Sequence, residues 1–141
     1  MTPAEHAAHL TALTERLTGR LAEETRCFEA HRPQDVAAGV AETQELANIY
    51  RRETARLKAD RGLLEGLPTA ERDALIAATR AFEAVLARHN RALEAAKTIT
   101  EGLVQAIAQE VAAARAQGAG YGASGRAAAV DGRAVTLNRK A

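Results

Sequence analysis

Few side chains in this chain have the types and spacing that chemistry needs. Glu5, His6 and His9 lie close together near the first residue. His6 and His9 are one helical turn apart, which would put two imidazoles on one face where they could share a metal ion. They lie at a fraying terminus and lack a clear third and fourth ligand of a zinc site, so the three read as surface residues of a first turn. Cys27 has His31 one turn away but no histidine at the spacing of a catalytic motif, and it reads as a small, partly buried residue. His89 falls among apolar residues and reads as a hydrogen-bonded interior histidine. Arg51, Arg52, Arg56, Lys58 and Arg61 form a basic run that Glu53 and Asp60 dilute. Cations near a helix C-terminus are favoured by the dipole, so this is a solvated face rather than an anion site. Gly118-Ala-Gly-Tyr-Gly is not a phosphate loop, because no strand precedes it and no helix with Lys-Ser/Thr follows. No catalytic residue, metal site or cofactor is predicted, and nothing here requires an enzyme.

The elements that would position such residues are helices. Thr2-Pro3-Ala4-Glu5 is a capping box with proline at the first helical position. The stripe that follows is Leu10, Leu13, Leu17, Leu21 and Phe28. Arg32-Pro33 interrupts it, because proline disfavours helical geometry in the residue before it. Pro33 then opens a second helix with a stripe of Val36, Val40, Ala47, Tyr50 and Leu57, widened by Leu46 and Ile49. Gly62 to Thr69, with Gly66 and Pro68, is the next break, where Leu63, Leu64 and Leu67 cap the bundle end.

A third helix runs from Thr69 to Ala116 without internal proline. Its seam reads Leu75, Thr79, Phe82, Leu86, His89, Leu93, Ala96, Thr100, Leu103 and Ile107, in steps of four and three that keep one apolar edge on one side. At 1.5 Å per residue it is roughly 70 Å long, against roughly 40 Å for each of the first two helices. Short connections favour antiparallel neighbours, so pairing with helix two ends near Ala96 to Thr98. Ile99, Leu103, Val104, Ile107 and Val111 are then expected on an unsupported arm. Such a surface calls for dimerisation, for a partner's amphipathic helix, or for fraying until a partner arrives. Gly102 is a candidate hinge within it. The bland alternative is that helix three is offset, or folds back at Gly102 and covers its own edge.

Composition agrees with this architecture. Alanine supplies 35 of the 141 residues and tryptophan none, which favours helix over sheet and a thin core. The expected fold is all-α, an antiparallel three-helix bundle or coiled coil with a long third helix. Residues 1–116 form the bundle domain, and residues 117–141 a flexible Gly/Ala-rich basic tail holding five of the ten glycines. Residues 1–116 carry 15 basic and 17 acidic side chains, net −2, and residues 117–141 carry four basic and one acidic, net +3. A body this neutral argues against nucleic acid as the main ligand. The single cysteine rules out an internal disulfide and fits a reducing compartment. No apolar stretch approaches the ~18 residues of a membrane helix, and the opening residues lack the layout of a secretion signal. The expected location is the cytoplasm, without membrane insertion.

Three segments carry a family resemblance. They are the Leu-rich opening helix through Leu21-Ala-Glu-Glu-Thr-Arg, then Ala41-Glu-Thr-Gln-Glu-Leu-Ala-Asn-Ile-Tyr50, then Asn90-Arg-Ala-Leu-Glu-Ala-Ala-Lys-Thr-Ile-Thr-Glu-Gly-Leu-Val-Gln-Ala-Ile107. With Gly120-Tyr-Gly-Ala-Ser-Gly125 and Leu137-Asn-Arg near the end, the layout resembles flagellar export chaperones of the FlgN type. Thr43-Gln44 departs from it, since many members carry a lysine there. The resemblance covers essentially the whole chain through weakly specific motifs. It implies a small cytosolic helical protein that holds hook-associated (hook–filament junction) proteins by an amphipathic C-terminal segment and hands them to the export gate. It further implies that the C-terminal helix and tail make that contact. This assigns Ile99, Leu103, Val104, Ile107 and Val111 as partner-binding residues, with Tyr121 as an anchor. The competing reading is a non-catalytic coiled-coil scaffold or adaptor subunit that homodimerises through the long third helix.

Overall fold

A computed structural model describes the backbone of residues 1–122 and the side chains of residues 1–118. Three α-helices account for most of it: α1 (Pro3–Glu29), α2 (Val40–Ala59) and α3 (Thr69–Gly122), with 3₁₀ turns at Pro33–Gly39 and Arg61–Leu64. Among the described residues there is no strand. The fold is all-α, as the composition requires. The chain separates into two units, Met1–Ala96 and Lys97–Ala141.

In the first unit each boundary has a local cause. Thr2 caps α1: its hydroxyl accepts the Glu5 amide at 3.2 Å, and the Glu5 carboxylate accepts the Thr2 amide at 2.7 Å. At the other end the amide of Arg32 donates to the Cys27 carbonyl, and that of His31 to the Phe28 carbonyl. His31 itself sits at φ 59°. This is a Schellman closure with histidine where glycine is usual.

The second helix starts later than Pro33 predicts. Pro33 to Gly39 wind as a 3₁₀ turn, and the α-helical pattern begins at Val40. Gly39, at the junction of this turn with α2, lies against the Arg20 guanidinium, where a Cβ would clash. Arg20 uses that space to reach the Thr43 hydroxyl at 3.3 Å. At the α2–α3 break, Gly66 has φ 74°, a turn conformation that glycine adopts without strain.

The helices run up, down, up. Glu29 of α1 pairs with Arg88 of α3, and Phe28 packs edge-on against His89. Further toward the α1 N-terminus, Thr18 and Gly19 share a shallow hollow with Ala77 and Ala78. Hence α1 and α3 ascend together while α2 returns between them, its Tyr50 ring tilted against Phe82 with centroids 4.9 Å apart.

Leu10, Leu13, Leu17, Leu21 and Leu46 form the buried core, with Leu75, Phe82, Val85 and Leu86 of α3 packed against it. The α1 stripe therefore stands as its spacing predicts, with Phe28 half-buried. Two polar residues join it. Thr14 and Thr25 are almost fully buried, each hydroxyl donating at 2.7 Å to the carbonyl four residues back. In α2, Leu46 and Thr43 are the buried residues, while Val40, expected on the inner stripe, is exposed. Leu63, Leu64 and Leu67 are half-buried.

In the second unit α3 continues to Gly122 rather than stopping at Ala116. Glycines at 118 and 120 each cost about 1 kcal/mol relative to alanine, but alanines at 116 and 119 sustain the turn. Residues 117–122 of the expected tail thus belong to the helix, and residues 123–141 lie outside the described residues.

Candidate functional site

Two apolar surfaces stand out, one in each unit. The first is the apolar face that α3 carries beyond Lys97. Ile99, Leu103, Val104, Ile107 and Val111 are between 39% and 60% exposed. Steps of four keep Ile99, Leu103, Ile107 and Val111 on one drifting stripe, and Val104 widens it. The spacing brings these predicted residues together on one face. Tyr121 lies in the last turn of α3, but its side chain is outside the described residues. Gly102 sits inside the stripe, in continuous helix, and a Cβ there would meet nothing within 4 Å.

The second surface is a cleft of about 640 Å³ in the first unit, between all three helices. Leu17, Leu21 and Phe28 form its α1 wall, Phe82, Leu86 and Leu93 its α3 wall, and Tyr50 with Ala47 its floor along α2. Val40 and Leu93, 47% and 42% exposed, bring large apolar side chains to its lining. Burial raises the Tyr50 hydroxyl above its ordinary pKa of 10.0, and the nearby Glu83 carboxylate adds to the shift.

Two polar groups interrupt this apolar lining. Glu24 is only 8% exposed, and its Oε2 atom is buried without a hydrogen-bond partner. His89 also lines the cleft, with a buried Nδ1 that lacks a partner. The seam position of His89 is the one its spacing predicts, yet the expected hydrogen bond at Nδ1 is missing. Close by, Arg88 grips Glu29 through two hydrogen bonds of 3.1 and 2.8 Å. Both partners are substantially exposed, so this pair contributes about 0–1 kcal/mol.

Sequence reasoning passed over the cleft, although it left a mark. Glu24 falls three residues after Leu21 and four before Phe28, a charge placed within the apolar stripe of α1. The other candidates stay apart. Cys27 is a half-buried free thiol. Arg51, Arg52, Arg56, Lys58 and Arg61 are all exposed, and Arg51 donates to Asn48. Among the described residues no three His, Cys, Asp or Glu side chains converge as a metal site would require. Nor is any described helix long and apolar enough to cross a membrane.

Comparison with known proteins decides the family. The flagellar basal-body protein FlbY of Caulobacter vibrioides is 53% identical over 135 residues, which cover 94% of this chain and 91% of the relative. The chain belongs to the FlbY family. No family model matches it, and no solved structure matches it either. The matched length of this FlbY-family chain takes in most of both units, so both surfaces fall within a flagellar protein family. The finer likeness to export chaperones of the FlgN type is a narrower matter than this membership.

Proposed function

We propose that this FlbY-family protein acts in flagellar assembly as a non-catalytic, cytoplasmic export chaperone. It holds the C-terminal amphipathic helix of a hook-associated protein on the outer half of α3 and delivers that client to the export gate. Ile99, Leu103, Val104, Ile107 and Val111 make the contact, with Tyr121 as a further anchor. One observation carries the reading: five large aliphatic side chains share one helical face, and none of them is buried. Burying each fully would contribute on the order of 1.5–3 kcal/mol before the costs of association. An amphipathic helix laid along such a stripe is a common recognition mode. The domain division that goes with this reading is a body to residue 116 and a basic segment from 117 onward, whose first six residues continue α3.

Sedimentation equilibrium of the purified protein, alone and with the C-terminal helix of a hook-associated protein, tests the proposal. The expected result is a monomer that forms a one-to-one complex. Leu103→Glu combined with Ile107→Glu should abolish the complex while leaving helical content by circular dichroism nearly unchanged. A tight homodimer indifferent to the peptide would overturn the chaperone reading and favour a scaffold that self-associates through α3. Loss of the whole fold in the double variant would identify these residues as core.

A further inference from the structure

The cleft of the first unit has features that simple core packing leaves unexplained. Its walls are apolar along matching lengths of two helices, Leu17 to Phe28 on α1 and Phe82 to Leu93 on α3. Each stretch is about three helical turns, or roughly 16 Å. That length suits a short helix better than a compact small molecule. Val40 and Leu93 leave large apolar area in water, which a docked apolar face would cover.

The decisive detail is Glu24. A carboxylate more than nine-tenths buried, with one oxygen lacking any hydrogen-bond partner, is unfavourable unless something completes it. No cation does so within the described residues: Arg20 pairs with Glu23, Arg88 with Glu29 and Arg16 with Glu42. Arg51, which also lines the cleft, donates to Asn48. On the opposite wall His89 likewise buries an Nδ1 without a partner.

We infer that the cleft is a docking site for an amphipathic helix of a partner protein that carries an arginine or lysine on its apolar face. The apolar side chains of that helix pack against the solvent-facing parts of Phe28, Val40 and Leu93, above the buried Leu17 and Leu21. A rotation of the Glu24 side chain toward the cleft presents its carboxylate to that cation, which supplies the missing donor. Arginine fits best, because its planar fork donates several hydrogen bonds and is less strongly hydrated than an ammonium. The apolar walls give affinity, and Glu24 gives selectivity by rejecting helices with an acidic or purely apolar residue at that point. This site rests on the first unit alone and is independent of the reading given to the outer half of α3.

The test uses the full chain and three synthetic amphipathic peptides of about 18 residues. The peptides share one leucine stripe and differ at its central position, which is Arg, Leu or Glu. Fluorescence anisotropy should give binding of the Arg peptide about tenfold or more tighter than the Glu peptide. Glu24→Gln, nearly isosteric and checked for fold by circular dichroism, should collapse that preference to about threefold or less. Leu103→Glu with Ile107→Glu should leave it intact, which separates this site from the α3 surface. Equal binding of the three peptides to the natural chain would overturn the inference without reference to any variant. So would an Arg preference that survives Glu24→Gln. Self-association that Leu93→Glu abolishes, with helical content unchanged, would show a second copy of this chain in the cleft, and would equally overturn it.

Discussion

The N-terminal helix and the outer half of α3 are built from similar residues in similar rhythm, and they end in opposite states. Eight residues of α1 are buried. From residue 97 to 118 of α3 none is buried, and only Ala108 and Ala112 are even half-buried. Leucine and isoleucine recur every three or four residues in both. A periodic apolar stripe therefore establishes a helix with a preferred face, but what covers that face is a separate property. For α1 the cover is α2 and the inner half of α3. For the outer stretch no cover is needed to specify the helix, because alanine, leucine, glutamate and glutamine are sufficient helix formers. The difference separates residues that hold the fold from residues free to serve a partner.

The sharpest way to break this comparison is to truncate one leucine in each region. Leu17 is 2% exposed at the centre of the core, and Leu103 is 59% exposed. Leu17→Ala should lower stability to denaturant by about 2–5 kcal/mol, through lost transfer energy and the cavity left behind. Leu103→Ala should stay within about 0.5 kcal/mol of the natural chain. Urea titration of both variants measures the contrast. Comparable losses would mean that the outer face is covered in solution and that the two regions are alike after all.

How far this division is legible in the sequence depends on what each signal physically encodes. The capping box at Thr2 to Glu5, the Arg32-Pro33 break and the Gly66-Pro68 break are local chemistry, and the structure places helix boundaries at or near each of them. The start of α2 was less legible. Pro33 announces a helix, but α-helical bonding begins only at Val40, beside Gly39, whose missing Cβ leaves room for Arg20 of the preceding helix. Sequence spacing cannot convey such an encounter. The end of α3 misled for the opposite reason: glycines suggest a stop, while neighbouring alanines sustain six further residues of helix. Thr14, Thr25 and Glu24 sit at the right periodicity to face inward, but they are polar and drop out of an apolar count. The threonines satisfy themselves on their own backbone, which makes their burial inexpensive. Glu24 does not, and so the cleft became visible only once three helices were in place. That the outer face of α3 would be exposed followed from a length mismatch, an argument from geometry alone.

A smaller effect is expected at Gly102, within the exposed stripe. A methyl group there would meet nothing within 4 Å, and glycine in a helix interior is about 1 kcal/mol less favourable than alanine. Gly102→Ala should therefore slow amide exchange in residues around 99–107 by a factor of about five. Exchange in α1 should not change. If Gly102 serves instead as a hinge during client binding, the same variant will stiffen the free helix and weaken the complex. A variant that protects α1 as strongly as α3 would couple the two regions, against the separation drawn here.

The smallest effect belongs to the first turn of α1, where an exposed carboxylate forms half of the capping box. The Thr2 amide and hydroxyl stabilise ionised Glu5, with the N-terminal charge and His6 adding slightly, so its pKa lies below the ordinary 4.5. A depressed folded-state pKa means that the contribution is present above about pH 4.5 and is lost as pH falls through the folded value. Amide exchange at residues 5–8 should thus accelerate on going from about pH 6 to about pH 3, once the intrinsic chemical rate is divided out. Glu5→Gln should remove that extra acceleration, because an amide can accept the same hydrogen bond without titrating. The outer half of α3 lies far along the chain from this cap and should show no matching step. An identical acid response in both regions would mean that the cap anchors more than its own turn.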